Sequence, residues 1–246
     1  MVEVTSSSRM LDINGNGVKY RRFGSGPDVL LVHGWFLYGQ TWRKLVSTLT
    51  GYACHVIDLP GAGGSPQGDQ PLGFTGQSKI LEAVVDELGL EKCALIGNDS
   101  GGVASSLFAV RRPDVVSALI IVGSDLPDYT SWLLRMFIIA AKMPGKGLGL
   151  KLGLSNRFFR HSTLGLGQLF YDKKNLTSDF QDLFIEPFLN DRPYRVGQTA
   201  ILANFDRKGL TALGEAQPTI TAPTLFVWGN DDVIFPVGRA QKWQSA

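Results

Sequence analysis

Residues 95–102 read Leu-Ile-Gly-Asn-Asp-Ser-Gly-Gly and set two nucleophiles, the carboxylate of Asp99 and the hydroxyl of Ser100, between glycines. An apolar run (93–96) precedes them and a run of small residues (101–110, GGVASSLFAV) follows, so the stretch reads as strand, tight turn, helix. In a Gly-x-nucleophile-x-Gly turn the glycines let the chain fold sharply enough to lift the middle side chain above the sheet, at the positive end of the next helix. Gly97 and Gly101 frame Asp99, and Ser100 falls one place late. The frame favours the carboxylate as nucleophile, with Ser100 giving its backbone N–H to an oxyanion site while its hydroxyl points elsewhere. Two other readings stand beside it: an Asp that only caps the following helix, and a serine-type esterase built on Ser100.

Such a turn needs a sheet to carry it. A hairpin is expected around Asn14-Gly15-Asn16-Gly17. The runs DVLLV, CHVIDL (54–59), KCALIG (92–97), VSALIIVG (116–123) and PTLFVWG (223–229) are short, apolar on both faces and closed by Gly or Asp, as in central parallel strands covered by helices. Helical stretches alternate with them at 41–49, 74–88 and 103–110, which gives a doubly wound α/β fold with a mostly parallel central sheet and helices on both faces. From Asp125 to about Gly214 only helical spacing occurs, interrupted by Pro144, Pro187 and Pro193, so this part is expected to be a helical cap inserted over the strand ends. The expected division is 1–124 and 215–246 for the core and 125–214 for the cap.

The 246 residues carry 24 Lys+Arg against 22 Asp+Glu, with 44% apolar residues, enough for one substantial core. The basic pairs Arg21-Arg22, Arg111-Arg112 and Lys173-Lys174 are scattered, which excludes a surface tracking nucleic acid. The N-terminus has no secretory pattern, Cys54 and Cys93 read as buried free thiols, and a cytoplasmic location is expected. Trp132–Ala141 is about half the length a bilayer needs and contains Arg135, so no membrane partner is expected either. GKGLGLKLG (145–153) has Gly-x-Gly spacing but no preceding strand and no acidic residue at the ribose position, which rules out a dinucleotide fingerprint.

Taken in order, LLVHGWFLYGQTW (30–42), DLPGAGGS (58–65), LIGNDSGG (95–102) and APTLFVWGNDDVIFP (222–236) resemble the α/β-hydrolase superfamily, from about residue 28 to the end apart from the cap. With aspartate at the elbow, the chain is similar to the branch of epoxide hydrolases and haloalkane or haloacid dehalogenases, in which a carboxylate attacks carbon and forms an ester intermediate. The resemblance implies Asp99 as nucleophile and Asp232 as the acid that orients a histidine, with Asp125 as a second place for that acid. It makes Gly34, Trp35 and Ser100 the oxyanion and substrate-binding residues, His33 structural, and Tyr129, Tyr171 and Tyr194 the cap tyrosines that could protonate an opening epoxide. No metal or organic cofactor is implied; the partner is a small, apolar, electrophilic molecule. Three departures blur the subtype: Ser100 stands where haloalkane dehalogenases place a tryptophan, no arginine lies between Gly97 and Val110, and Phe36 replaces the proline of the epoxide hydrolases' HG-x-P loop.

A hydrolase of this branch also needs a base to activate water. The histidines are His33, His55 and His161, all before Asp232. The last strand, histidine loop and final helix of the family are expected to lie beyond Ala246. The ester should therefore accumulate with little turnover, strand 224–228 should be a bare edge prone to pairing, and a non-catalytic or vestigial member is the remaining alternative.

Overall fold

The computed structural model describes residues 6–69, 72–172 and 176–245; Lys173 and Lys174 lie outside them. Seven strands form one sheet: β1 (Ser6–Ile13), β2 (Asn16–Phe23), β3 (Asp28–Val32), β4 (Ala53–Ile57), β5 (Cys93–Asn98), β6 (Val116–Val122) and β7 (Thr224–Val227), in the order β1-β2-β4-β3-β5-β6-β7. The first two form the hairpin, turning at Asn14-Gly15, where both residues take positive φ as a two-residue turn of matching twist requires. β2 pairs antiparallel with β4, and the remaining neighbours are parallel.

The helices are α1 (Arg43–Val46), α2 (Phe74–Leu88), α3 (Ser100–Arg111), α4 (Trp132–Lys142), α5 (Leu148–Ser155), α6 (Arg157–His161), α7 (Ser178–Phe180), α8 (Glu186–Asn190), α9 (Arg192–Ala203), α10 (Arg207–Ala216) and α11 (Val237–Gln244), with a π-helical stretch joining α7 to α8. α2 buries Ile80, Leu81, Val84 and Val85 as its spacing predicts. Between β6 and β7 the described residues contain helices α4–α10 and no strand. Both cysteines are buried and free.

One expectation changes. The helix over 41–49 shrinks to a 3₁₀ turn and α1, because the hydroxyls of Ser47 and Thr48 bond back to the carbonyls of Lys44 and Leu45 and compete with helix propagation. β7 lies at the sheet edge, as expected, with Leu225 57% and Val227 44% exposed.

The DLPGAGGS segment is fixed by charge. Asp58, fully buried, takes the Arg21 guanidinium and the N–H of Gly39 (2.8 Å) on Oδ1 and the N–H of Gly64 (2.9 Å) on Oδ2. One carboxylate thus ties β2, the loop after β3 and the loop after β4. Asp58→Ala leaves Arg21 and two amides without that partner, and urea denaturation should show a loss of about 3–5 kcal/mol.

Candidate active site

Every parallel strand from β3 to β7, β4 excepted, delivers a candidate residue from its C-terminal end: Gly34 and Trp35 after β3, Asp99 after β5, Asp125 after β6, Asp232 after β7. Parallel strands present their carboxyl ends on one edge, so residues far apart in sequence meet there.

Asp99 sits at φ 54°, ψ −131°, a conformation that costs an L-residue on the order of 1–3 kcal/mol. The surroundings hold it: its N–H donates to the Gly123 carbonyl (2.9 Å), and its own carbonyl accepts from the Ser124 hydroxyl (2.7 Å) and the Gly102 N–H (2.9 Å). The turn also needs close approach. A Cβ on Gly101 would come within 2.6 Å of the Val32 carbonyl oxygen.

Two backbone donors meet on one oxygen. Oδ1 of Asp99 accepts the N–H of Trp35 (3.1 Å) and that of Ser100. The loop supplying Trp35 is held in turn by buried Gln198 of α9, whose Oε1 accepts the Phe36 N–H (3.0 Å), whose carbonyl accepts the Trp35 indole N–H (3.0 Å), and whose side-chain amide donates to the Leu37 carbonyl (3.3 Å). Sequence reading missed Gln198, because partners that are main-chain groups leave no pattern in residue types. Ser100 starts α3 directly after the elbow.

Asp99 opens onto two spaces. A wide cavity of about 1090 Å³ is bounded by Trp35, Asp99 and Asp232 on the sheet side and by Leu134, Phe137, Leu169 and Phe180 of the insertion. A narrow one of about 30 Å³, room for a single water, lies between Asp99, Ser100, Asp125 and Gln77. Asp232 turns its Oδ1 to the N–H groups of Ile234 (2.9 Å) and Phe235 (2.8 Å). Asp125 is buried, and its Oδ1 has no partner among the described residues; neither has Oε1 of Gln77.

Burial pushes all three carboxyls up. Asp99 reaches about 6, against the lowering pull of the Ser100 and Trp35 N–H groups, with Asp232 raising it further. Asp125 is driven well up by burial and then by the neighbouring Asp99 charge. Asp232 rises by burial, offset by its two amides. The negative charge belongs on Asp99, whose oxygen is met by donors, and the proton on Asp125, whose oxygen is not. The folded protein keeps protons that the unfolded chain releases above about pH 4, so stability is full below that and falls as pH rises toward and through the folded values. Asp125→Asn removes one such group: its melting temperature should exceed the parent's at pH 8, and the gap should narrow at pH 5.

No histidine lines either space. His33, fully buried, donates from Nδ1 to the Gly34 carbonyl and accepts the Leu59 N–H at Nε2, both at 2.9 Å, so it bolts two loops together as a neutral ring lowered by desolvation. His55 bridges Tyr20 and Asp28 across β2, β4 and β3. His161 binds the Arg157 carbonyl within α6. Of the tyrosines, Tyr171 borders the wide cavity and is 90% exposed, Tyr194 is buried against Tyr38 with its hydroxyl unpaired among the described residues, and Tyr129 lies under Arg239.

The family model described as alpha/beta hydrolase fold matches residues 27–246. The chain belongs to that family. Among the alpha/beta hydrolase fold proteins it is similar to a 2-hydroxy-6-oxononadienedioate/2-hydroxy-6-oxononatrienedioate hydrolase of Cupriavidus pinatubonensis, 29% identical over 87% of this chain and 70% of that protein. It also matches a pimeloyl-[acyl-carrier protein] methyl ester esterase of Aeromonas hydrophila subsp. hydrophila, 36% identical over 44% of this chain and 42% of that one. A solved haloalkane dehalogenase loop variant from Bradyrhizobium elkanii superposes with a TM-score of 0.77, at 23% identity over 98% of this chain and 86% of that one, a likeness of fold.

Proposed function

We propose that this hydrolase of the alpha/beta hydrolase fold family attacks a small, apolar, electrophilic carbon, of the epoxide or alkyl halide type, with the carboxylate of Asp99. The observation that carries the reading is the pair of backbone N–H groups on Asp99 Oδ1, at a strained turn facing a largely apolar cavity. With Oδ1 held, Oδ2 is the attacking oxygen: its electron pair forms the new C–O bond while the carbon–halogen or carbon–oxygen bond breaks toward the leaving group. When water then attacks the ester carbonyl, charge collects on Oδ1, where the Trp35 and Ser100 donors already point; such donors are worth roughly 3–4 kcal/mol each. The helices between β6 and β7 serve as a cap that shields this chemistry from bulk water.

Asp232 and Asp125 are the two acids placed to orient a base. None of the three histidines reaches the cavities, so the 246-residue chain should form the ester faster than it hydrolyses it. Intact-mass measurement after incubation with a panel of epoxides and alkyl halides should show one stoichiometric adduct on the peptide carrying Asp99. Sustained multiple turnover, or no adduct with any member of the panel, would refute this reading. A Ser100 esterase is the second reading, supported by Ser100 lining the narrow cavity beside Asp99.

A further inference from the structure

Helix α4 is apolar on two sides. Its inner side sends Leu134 and Phe137 into the wide cavity. Its outer side exposes Trp132, Ile139 and, just past its end, Met143, all at spacings of one helical face and 55–65% open to solvent. α5 packs against it and exposes Leu148 and Leu152, and the neighbouring α6 exposes Phe158 at 89%. A helix apolar all round is normally covered, and a soluble protein rarely leaves so many large apolar side chains uncovered in one segment.

The charge along this segment is one-sided. Residues 129–171 contain six Lys and Arg and no Asp or Glu, although the whole chain is nearly balanced. Arg135, Lys142, Lys146 and Arg157 are exposed among those apolar residues. Large apolar side chains interleaved with cations, without an acid, fit an anionic lipid surface: the rings and aliphatic chains enter the headgroup boundary and the cations meet the phosphates. Leu169 and Tyr171 of the same segment border the wide cavity and are open to solvent.

We infer that the outer face of α4, α5 and α6 docks on an anionic membrane surface. No helix among the described residues is long and apolar enough to span a bilayer. The sequence expectation of no membrane partner rested on that length, which does not bear on helices lying flat. The inference is independent of which residue is the nucleophile.

Flotation of the 246-residue chain with vesicles of phosphatidylcholine, alone or with one third phosphatidylglycerol, tests it. Binding should be at least tenfold stronger to the anionic vesicles at low salt and should fall severalfold in high salt. The double variants Ile139→Ser/Leu152→Ser and Lys142→Glu/Lys146→Glu should each lose at least tenfold while keeping the parent's circular dichroism and melting temperature. Absence of flotation with anionic vesicles, or equal flotation of parent and both variants, overturns the inference. So does a parent that floats with neither lipid but is a dimer which Ile139→Ser/Leu152→Ser dissociates, since the face then belongs to a second copy. Capture by an acidic polypeptide without flotation overturns it likewise.

Discussion

Asp99→Asn should lower the rate of covalent adduct formation by on the order of 10³-fold or more, as removal of a nucleophile does, whereas Ser100→Ala should stay within about tenfold of the parent. The asymmetry follows from what each substitution leaves behind. Asparagine keeps the shape of the elbow and can still accept the Trp35 and Ser100 N–H groups, but it has no anionic oxygen with which to attack. Alanine at 100 keeps the backbone N–H that meets Oδ1 and loses only a hydroxyl. Time courses of intact mass give both rates. The parent's rate should also climb with pH through about 6, because burial holds Asp99 partly protonated below that and only the ionised form attacks. The opposite ranking of the two variants would move the chemistry to Ser100.

Gly34→Ala should damage both folding and labelling. A methyl group there would collide with Cβ of Asp99 and come within 2.7 Å of the Asn98 carbonyl oxygen. Neither can move aside easily, since Asp99 is pinned by Gly123, Ser124 and Gly102 and the loop beyond Gly34 is pinned by Gln198. Overpacking of this sort costs about 1–3 kcal/mol, and displacing the carboxylate by as little as ~1 Å from its donors should slow labelling about 10²-fold. Urea titration and adduct time courses measure the two losses separately. A variant that matches the parent in both would mean that the loop after β3 does not hold Asp99 in place.

What could be read from the chain follows the range of the forces involved. β3, β4, β5 and β6 announce themselves as short apolar runs because most of their side chains are buried or half-buried in the core, and α2 because its apolar positions repeat on one face. The 41–49 stretch misleads, since Ser47 and Thr48 weigh little in an apolar count yet decide where the helix stops. At the site, the glycine frame marks Asp99 because the turn is local. That Asp125 and Gln77 share a water-sized space with it depends on three separate crossings of the sheet, and Gln198 reaches the loop after β3 from over 160 positions away.

Gln198 also sets a limit on exchange between relatives. Because one side chain of the insertion holds the loop whose N–H meets Asp99, roof and floor are not portable parts. A foreign roof spliced onto this sheet would bring a new pocket shape while slackening a donor beneath it, so a new specificity reached by grafting starts at a handicap unless the graft carries its own amide to position 198.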